Sequence, residues 1–389
     1  MVTGDGKQPT SHLSRQHDLA LCCCLLVAVW IAHATSRTWT STDSRWTIPT
    51  ALSIINDHTA SLDRYASLIA QDNFYAIDCV TGQTVIRPVK SLAQCTNGHF
   101  YNFYPIGVDV LAVPEVFAIQ KLVHAVSGSP LARSVKNPYR RRLLEGDLIY
   151  THPLVEVLIA SFWIALAAVL LYLITRQFVR SIRSLIIALL FAFGTSAWST
   201  GSRALWQHGA SMLLISVASL AWLKADRNPN WWVLAGFALA FSMVVRPTNI
   251  LPFAAAFLYL LKEQPRKVWL YVLPALLVVG LFVMWSYAVY GTAVAPYYWP
   301  RRPGTNSLAI HRHFAEALVG NLISPGRGLF VYVPVFLLAV SLMLLPTLDQ
   351  RLLRIRPFLV GTLLAHWVLI SSFQDWWAGF AFVHATFPT

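Results

Sequence analysis

Charged residues are scarce in this chain: they make up 12% of its 389 residues, whereas soluble domains carry about 25%. Hydrophobic residues reach 56%, and the mean hydropathy is +0.54. A soluble fold of this length could not bury so much apolar surface, so the chain is expected to lie in a lipid bilayer. The same composition, with only five cysteines, excludes a disordered chain and a disulfide-stapled secreted module.

Sequence motifs for nucleotide binding, and for metal sites formed by protein ligands alone, are also missing. The chain has no GxxxxGK[ST] and no GxGxxG opening a βαβ unit, so nucleotide-driven transport has no support. HExxH, CxxC and N-x-[ST] are absent as well. A divalent cation remains compatible with the sequence, since one aspartate and a phosphate can share such an ion.

The net charge of +13 does not indicate a nucleic-acid partner. The basic residues lie in loops between apolar runs, where membrane topology places them. Duplex binding would need them on one continuous soluble face.

The apolar runs predict an all-α polytopic membrane protein with about nine transmembrane helices. Runs that reach the crossing length of about 17 to 25 residues lie near 19–35, 152–175, 183–199, 204–223, 268–290, 329–346 and 357–373. Two further short spans are expected within 231–262, broken at Arg246-Pro247-Thr248-Asn249, because proline cannot donate a backbone hydrogen bond.

The distribution of Lys and Arg orients these spans. Thirteen of them fall in the loops assigned to the cytoplasm, and only Arg203 and Arg246 fall in the opposing short loops. This bias holds only if 105–126 lies in the interface as an amphipathic helix and does not cross. The prediction is a multi-pass protein of the plasma (inner) membrane whose active face is external or periplasmic.

The expected organisation divides the chain into seven parts. They are a cytoplasmic N-terminus (1–18), a first transmembrane helix or signal anchor (19–35), an external loop with an interfacial helix near 105–126 (36–151), transmembrane helices two to seven (152–290), a second external loop (291–328), the last two transmembrane helices (329–373) and an external C-terminal segment (374–389). Ala32-His33-Ala34 would suit signal-peptide cleavage, but a retained first helix is preferred. Cys79 and Cys95 both fall in the first external loop, where a disulfide and two free thiols are the two interpretations.

Polar side chains concentrate on the predicted external face. Arg and His beside aromatics at a membrane edge suit an amphiphilic anion, because arginine matches phosphate oxygens and aromatic rings stack on sugars. The predicted donor-phosphate ligands are Arg203, Arg246 and Arg327, and the predicted substrate-binding residues are Tyr101, Tyr104, Gln207, Arg301 and Trp376. The alternative is that such residues only anchor helix ends at the interface.

Asp43 is a lone carboxylate shortly after the first helix. A general base could face an acceptor hydroxyl at the membrane surface there. The alternative is an ordinary loop aspartate, which is how we interpret Asp57 and Asp63.

Several of these residues lie in strings that resemble the GT-C superfamily of membrane glycosyltransferases, near the protein O-mannosyltransferase and aminoarabinose-transferase branch. The similar strings follow Asp43 in order and are Phe103-Tyr104-Pro105-Ile106-Gly107, Leu205-Trp206-Gln207-His208-Gly209, Val245-Arg246-Pro247-Thr248-Asn249, Ser324-Pro325-Gly326-Arg327-Gly328-Leu329-Phe330 and Asp375-Trp376-Trp377-Ala378-Gly379.

The resemblance implies transfer of a sugar, with inversion, from a polyprenyl-phosphate donor to a hydroxyl of a lipid, glycan or protein. It assigns the base to Asp43, and adds His208 to Arg203, Arg246 and Arg327 as ligands of the donor phosphate. Relatives often have paired acidic residues where Asp43 is followed by Ser44, and Pro-Pro-Gly or Lys-Pro-Pro in the interfacial segment. They also continue past Trp-Trp-x-Gly through further helices, so a C-terminally truncated chain is expected.

A lipid-linked glycan flippase or export component without transferase activity is the alternative function. Transporters concentrate ionisable groups and broken helices near the membrane midplane. Here the candidates for such a role are few, namely Glu156, His366 and the break at Arg246-Pro247. A non-catalytic membrane scaffold is the third hypothesis.

Overall fold

The computed structural model describes residues 12–36, 43–298, 311–326, 328–344, 346, 349–373 and 376. The helices are α1 His12–Ala34, α2 Thr47–Asp57, α3 Ala66–Gln71, α4 Ile106–Val126, α5 Pro130–Ser134, α6 Pro138–Leu144, α7 His152–Thr175, α8 Ser181–Gly194, α9 Gln207–Ala225, α10 Trp231–Val245, α11 Ile250–Glu263, α12 Val268–Tyr290, α13 Phe314–Ile323, α14 Leu329–Tyr332, α15 Val335–Leu344 and α16 Gln350–Ser371. The strands are β1 Ile77–Thr81, β2 Thr84–Ile86 and β3 His99–Asn102.

Five helical segments within the described ranges are long and apolar enough to cross a membrane. They are Gln16–Ala34, His152–Thr175, Gln207–Ala225, Pro265–Tyr290 and Gln350–Ser371. Shorter apolar helices occupy Ser181–Gly194, Trp231–Val245 and Phe314–Ile323. The mostly helical membrane fold is confirmed, whereas the count of nine spans and their orientation stay predictions.

Helix α7 lies at the centre of the bundle, where it packs against α1, α8 and α9. Its buried face includes Ala160, Ala165 and Ala168, and small residues let helix backbones approach closely inside a membrane. The bundle continues from α9 to α10 and from α10 to α12. Gly236 permits the last contact, because a Cβ there would lie 2.1 Å from the carbonyl oxygen of Tyr271.

The predicted break between the two short apolar helices is present. Helix α10 ends at Val245, and a 3-10 turn over Pro247–Asn249 precedes α11. Asn249 stabilises the turn by donating hydrogen bonds of 2.9 Å to Ser211 Oγ and to the Ser242 carbonyl. Backbone and side-chain polar groups at a helix break need such partners wherever they are shielded from water.

Residues 43–151, which we call the cap, correct the all-α prediction. They contain a three-stranded antiparallel sheet in the order β2–β1–β3, with Cys79 opposite Ile86 on one side and Phe100 on the other. A disulfide joins Cys79 of β1 to Cys95. Helix α4 forms where an interfacial helix was expected, at Ile106–Val126. The strands hold only three to five residues, too few for an alternating pattern to predict them.

Two apolar runs are interrupted where continuous spans were expected. The run 329–346 is split into α14 and α15 at Val333-Pro334, because proline lacks the amide that would continue the helix. The run 183–199 ends as α8 at Gly194, and a π-helical turn over Ala197–Gly201 follows.

Candidate functional site

Asp43 lies beside two tyrosines of the cap. The Tyr75 hydroxyl donates a hydrogen bond to the Asp43 carboxylate, and Tyr104 lies within hydrogen-bonding reach of both. Burial raises the pKa of the Tyr104 phenol, and the nearby Asp43 charge raises it further. Asp43 itself is only half-buried. Its carboxylate is held by the two phenols and is still partly exposed to solvent.

Aromatic rings extend from Asp43 toward the bundle. Tyr297, which follows α12, has its ring centroid 6.0 Å from that of Tyr104 and 5.3 Å from that of Phe103. The guanidinium of Arg87 stacks on Phe103 at 3.7 Å from the ring centroid and pairs with the buried carboxylate of Asp78. These rings form a wall with a cation on one side, suited to a sugar ring.

Tyr297 also connects the wall to the start of α9 and the end of α10. Its hydroxyl accepts a 2.9 Å hydrogen bond from Gln207 Nε2. Burial raises the pKa of the Tyr297 phenol, and the Arg246 charge and the Asp43 charge act on it with opposite signs. Asp43 and Arg246 therefore both lie close enough to this half-buried phenol for their charges to act on it.

Arg246 is a half-buried cation without a carboxylate partner among the residues that the structure describes. Its guanidinium donates a 2.7 Å hydrogen bond to His208 Nδ1, so this nitrogen is the acceptor and the neutral ring carries its proton on Nε2. Burial lowers the pKa of the guanidinium. Charges withdrawn from water are normally paired, so a half-buried guanidinium without a carboxylate partner in the described structure favours an anionic ligand.

Two more polar atoms near Arg246 are buried and lack a hydrogen-bond partner within the described ranges. They are Trp206 Nε1, whose ring lies 5.9 Å from the ring of His208, and Thr248 Oγ1. Indole nitrogen is a donor only. The groups around Arg246 therefore offer mainly donors, which is what phosphate oxygens require.

Close backbone packing places these segments next to one another. A Cβ on Gly107 would lie 2.6 Å from the backbone of Val244 and Val245, so the start of α4 rests directly on the end of α10. Tyr104 precedes α4 and Arg246 follows α10, and the contact brings both to one place. Position 107 needs glycine because of this close backbone approach, and not because of a left-handed backbone conformation.

Arg203 lies apart from this group. Its guanidinium donates a 2.7 Å hydrogen bond to the His33 carbonyl of α1 and others to Ser202 Oγ, and it lies over the Trp198 ring. The side chain is 2% exposed, and burial lowers its pKa to about 10. In these contacts it joins the π-helical turn to the end of α1, and its role as a phosphate ligand stays a prediction.

The other predicted residues are scattered or lie outside the described part of the chain. Tyr101 packs against Tyr290, with ring centroids 5.9 Å apart, and Trp376 covers Gly320 of α13. Arg301 and Arg327 fall outside the described residues, as does Asp375. Two open clefts on the cap, of about 400 and 320 Å³, are lined by neither Asp43 nor Arg246.

Within the described ranges, no group of three or more His, Cys, Asp or Glu side chains could hold a metal ion. The predicted divalent cation would therefore need phosphate oxygens beside Asp43 as ligands.

Sequence reasoning missed Tyr75 and Arg87 as parts of the site, and it also missed His152, which contacts Arg45 two residues after Asp43. Tyr75 stands in an irregular stretch with three left-handed residues around it, and nothing in the sequence announces its contact with Asp43. His152-Pro153 opens a long apolar helix, and this imidazole at a helix start was a readable signal.

Comparison with known families finds a similarity over the helical bundle. The profile of the dolichyl-phosphate-mannose-protein mannosyltransferase family matches residues 149–290, just over a third of the chain. The matched range runs from the residues before α7 to the end of α12 and includes Gln207, His208 and Arg246, whereas Asp43 lies outside it. Over this range the predicted similarity to membrane glycosyltransferases is confirmed, whereas the narrower branch named from the sequence strings stays a prediction. No curated protein and no solved structure matches the chain.

Proposed function

We propose that this protein is a membrane glycosyltransferase that moves a sugar from a polyprenyl-phosphate donor to an acceptor hydroxyl. The observation that carries the proposal is the series of contacts that leads from Asp43 through Tyr104 and Tyr297 to Gln207, whose neighbour His208 contacts Arg246. Asp43 is a partly exposed carboxylate, and Arg246 is a half-buried cation without a carboxylate partner in the described structure. A base and an anion site connected through one aromatic wall suit transfer from a phosphate-linked sugar.

In the proposed reaction, Asp43 accepts the proton of the acceptor hydroxyl as its oxygen bonds to the anomeric carbon. The bond from this carbon to the phosphate oxygen breaks, and its electron pair leaves with polyprenyl phosphate. Arg246 stabilises the charge that develops on that oxygen, while His208 holds the guanidinium. Attack and departure on opposite sides of the carbon invert its configuration.

Tyr104 and Tyr297 are proposed to flank the sugar, and Gln207 to hold the Tyr297 hydroxyl. Arg203, Arg301, Arg327, Tyr101 and Trp376 stay as proposed contacts farther along the donor or acceptor. The distribution of Lys and Arg supports an external or periplasmic active face, and the hydroxyl of a lipid, glycan or protein is the proposed acceptor.

The test is a transfer assay on purified protein in lipid nanodiscs, supplied with radiolabelled polyprenyl-phosphate sugars. Wild type should release polyprenyl phosphate, and Asp43→Asn should lower turnover about 100-fold or more, because the amide cannot accept the proton. Asp57→Asn is the matched control, since Asp57 pairs with Arg64 on the cap surface. Equal turnover of Asp43→Asn and wild type would remove the base assignment. Movement of labelled lipid between leaflets without release would favour the flippase.

A further inference from the structure

Glu156 is a buried carboxylate that the proposed reaction does not use. It lies in the second turn of α7 and is 4% exposed. In the described part of the chain no Lys or Arg forms a salt bridge with it, although Arg45 is near enough for its charge to act on it, and the neutral His152 ring lies 3.8 Å away between Nε2 and Oε1. A carboxylate in such surroundings is costly, so the contacts that it makes need an explanation.

One oxygen of Glu156 accepts hydrogen bonds from two segments of the site. Its Oε2 accepts from Ser44 Oγ and, at 3.2 Å, from the backbone amide of Leu205. Ser44 directly follows Asp43, and Leu205 directly precedes Trp206-Gln207-His208. A single atom thus connects the segment that holds the base to the segment that contacts Arg246.

A second contact on the same face of α7 fixes the first segment. Arg45 donates a 3.0 Å hydrogen bond to Nε2 of His152, while Nδ1 of His152 lies 3.0 Å from the Ile149 carbonyl and donates to it. His152 and Glu156 are one helical turn apart, so the consecutive residues Ser44 and Arg45 meet consecutive turns of one helix. We call the contacts made by the Glu156 oxygen and the contact between Arg45 and His152 together the tether.

We propose that Glu156 is a positioning residue that sets the distance between the base and the donor-phosphate site. The kinetic consequences of this inference rest on the proposed function. Its structural consequences rest only on the contacts of the tether. Without the shared oxygen, Ser44 has no hydrogen bond to α7 next to Asp43, and the Leu205 amide has no acceptor. A displacement of about 1 Å at such a site can cost about 100-fold in rate.

The geometry makes the chemical requirement specific. Glutamine keeps a carbonyl oxygen that can take the place of Oε2 and accept both hydrogen bonds, although it loses the charge. Alanine keeps neither bond, and Ser44→Ala removes only the one beside Asp43. We therefore expect Glu156→Gln to turn over within about threefold of wild type, and Glu156→Ala to lose about 100-fold in kcat.

The pattern of kcat against KM separates positioning from general destabilisation. Ser44→Ala should lower kcat and leave the KM for the lipid donor unchanged, because only the base segment is released. Glu156→Ala should lower kcat and also raise this KM, because the segment leading to His208 is released too. The double variant should be no slower than Glu156→Ala alone, since both changes remove the same link.

Glu115 provides the matched control. It is also a carboxylate that contacts α7, where it accepts a 3.0 Å hydrogen bond from Trp163 Nε1, but it touches neither segment of the site. Glu115→Ala should keep both kinetic constants even if it lowers thermal stability.

Hydrogen exchange measures the tether without any substrate. In Glu156→Ala, peptides covering 43–47 and 202–208 should exchange faster than in wild type, whereas Glu156→Gln should match wild type. If no protein shows turnover, the proposed function fails while this exchange pattern still tests the tether. Equal loss of activity in Glu156→Gln and Glu156→Ala, or unchanged exchange in Glu156→Ala, would overturn the proposal.

Discussion

The guanidinium of Arg246 donates a 2.7 Å hydrogen bond to Nδ1 of His208, joining the end of α10 to the start of α9. This pairing uses one of the five N–H donors of the guanidinium and leaves the charge without a carboxylate in the described structure. The remaining donors are what a phosphate would take up.

Arg246→Lys should therefore weaken donor binding although it keeps the positive charge. Lysine offers a point charge without the planar fork, so we expect the donor KM to rise and kcat/KM to fall roughly tenfold or more. Steady-state kinetics with a short-chain polyprenyl-phosphate sugar measures this. Arg64→Lys, at an exposed ion pair on the cap, should change neither constant. An unaltered donor KM in Arg246→Lys would argue against the phosphate assignment.

The hydroxyl of Tyr297 and its ring have separable roles. Tyr297→Phe removes the hydrogen bond to Gln207 but keeps the contacts with Phe103 and Tyr104, so kcat/KM should fall by about fivefold. Tyr297→Ala removes the ring contacts as well and should lower kcat/KM considerably more. Tyr287→Phe is the control, because Tyr287 is exposed on α12. Equal effects of the Phe and Ala changes would show that the ring contributes nothing.

Two glycines of the bundle provide a test of helix packing. A Cβ on Gly236 would meet the Tyr271 backbone, whereas a Cβ on Gly280 would meet nothing within 4 Å. Gly236→Ala should therefore destabilise the protein by about 1 to 3 kcal/mol through overpacking. Gly280→Ala should leave stability unchanged or raise it slightly, because alanine favours the helix. Thermal unfolding in detergent compares the two variants, and equal midpoints would contradict the close contact between α10 and α12.

The disulfide between Cys79 and Cys95 closes a short loop of the cap, with a sequence separation of 16. Crosslinking a loop of this length stabilises a fold by about 3 kcal/mol. The double change Cys79→Ser and Cys95→Ser should make the cap open more readily and raise its rate of limited proteolysis. Cys22→Ser is the control, since Cys22 is a free thiol of α1. Unchanged proteolysis of the double variant would mean that the sheet holds the cap unaided.

Asp63 should make the cap sensitive to acid. Burial alone would raise the pKa of its carboxyl, but contacts with Ser61, the Phe100 amide and His99 lower it overall. A carboxyl whose folded pKa is below its unfolded value of about 3.9 stabilises the fold above that value. This contribution is lost as the pH falls through the lower, folded pKa. Thermal midpoints measured from pH 6 to pH 3 should fall more steeply for wild type than for Asp63→Asn. Parallel curves for the two proteins would contradict the shift.

The helices of the bundle could be predicted because apolar runs set them directly. The runs 152–175 and 268–290 coincide with α7 and α12, and proline at 247 marked the break after α10. The strands of the cap escaped prediction, since three to five residues are too few to show an alternating pattern. Local pattern thus sufficed where a helix is long and failed where pairing is short.

The candidate site was only partly predictable, because the types of residue in a sequence do not determine which of them lie next to one another in the folded protein. Arg203 and Arg246 both stand in short polar breaks between apolar runs, yet one contacts the end of α1 and the other lies beside His208. Tyr75 contacts Asp43 from 32 positions away through an irregular stretch without any motif. Such proximities arise from packing between distant segments.

The contact between Ser44 and Glu156 spans 112 positions, and Leu205 lies 49 positions farther along. During synthesis, the Asp43 segment emerges well before the helix that holds it and the amide that shares its acceptor. A partly made chain can therefore have its first helix in the bilayer while its site is still unassembled. Under the proposed function, competence for transfer would appear late in biogenesis, after α7 and the start of α9 have been inserted, and a stalled nascent chain would not consume lipid-linked sugar.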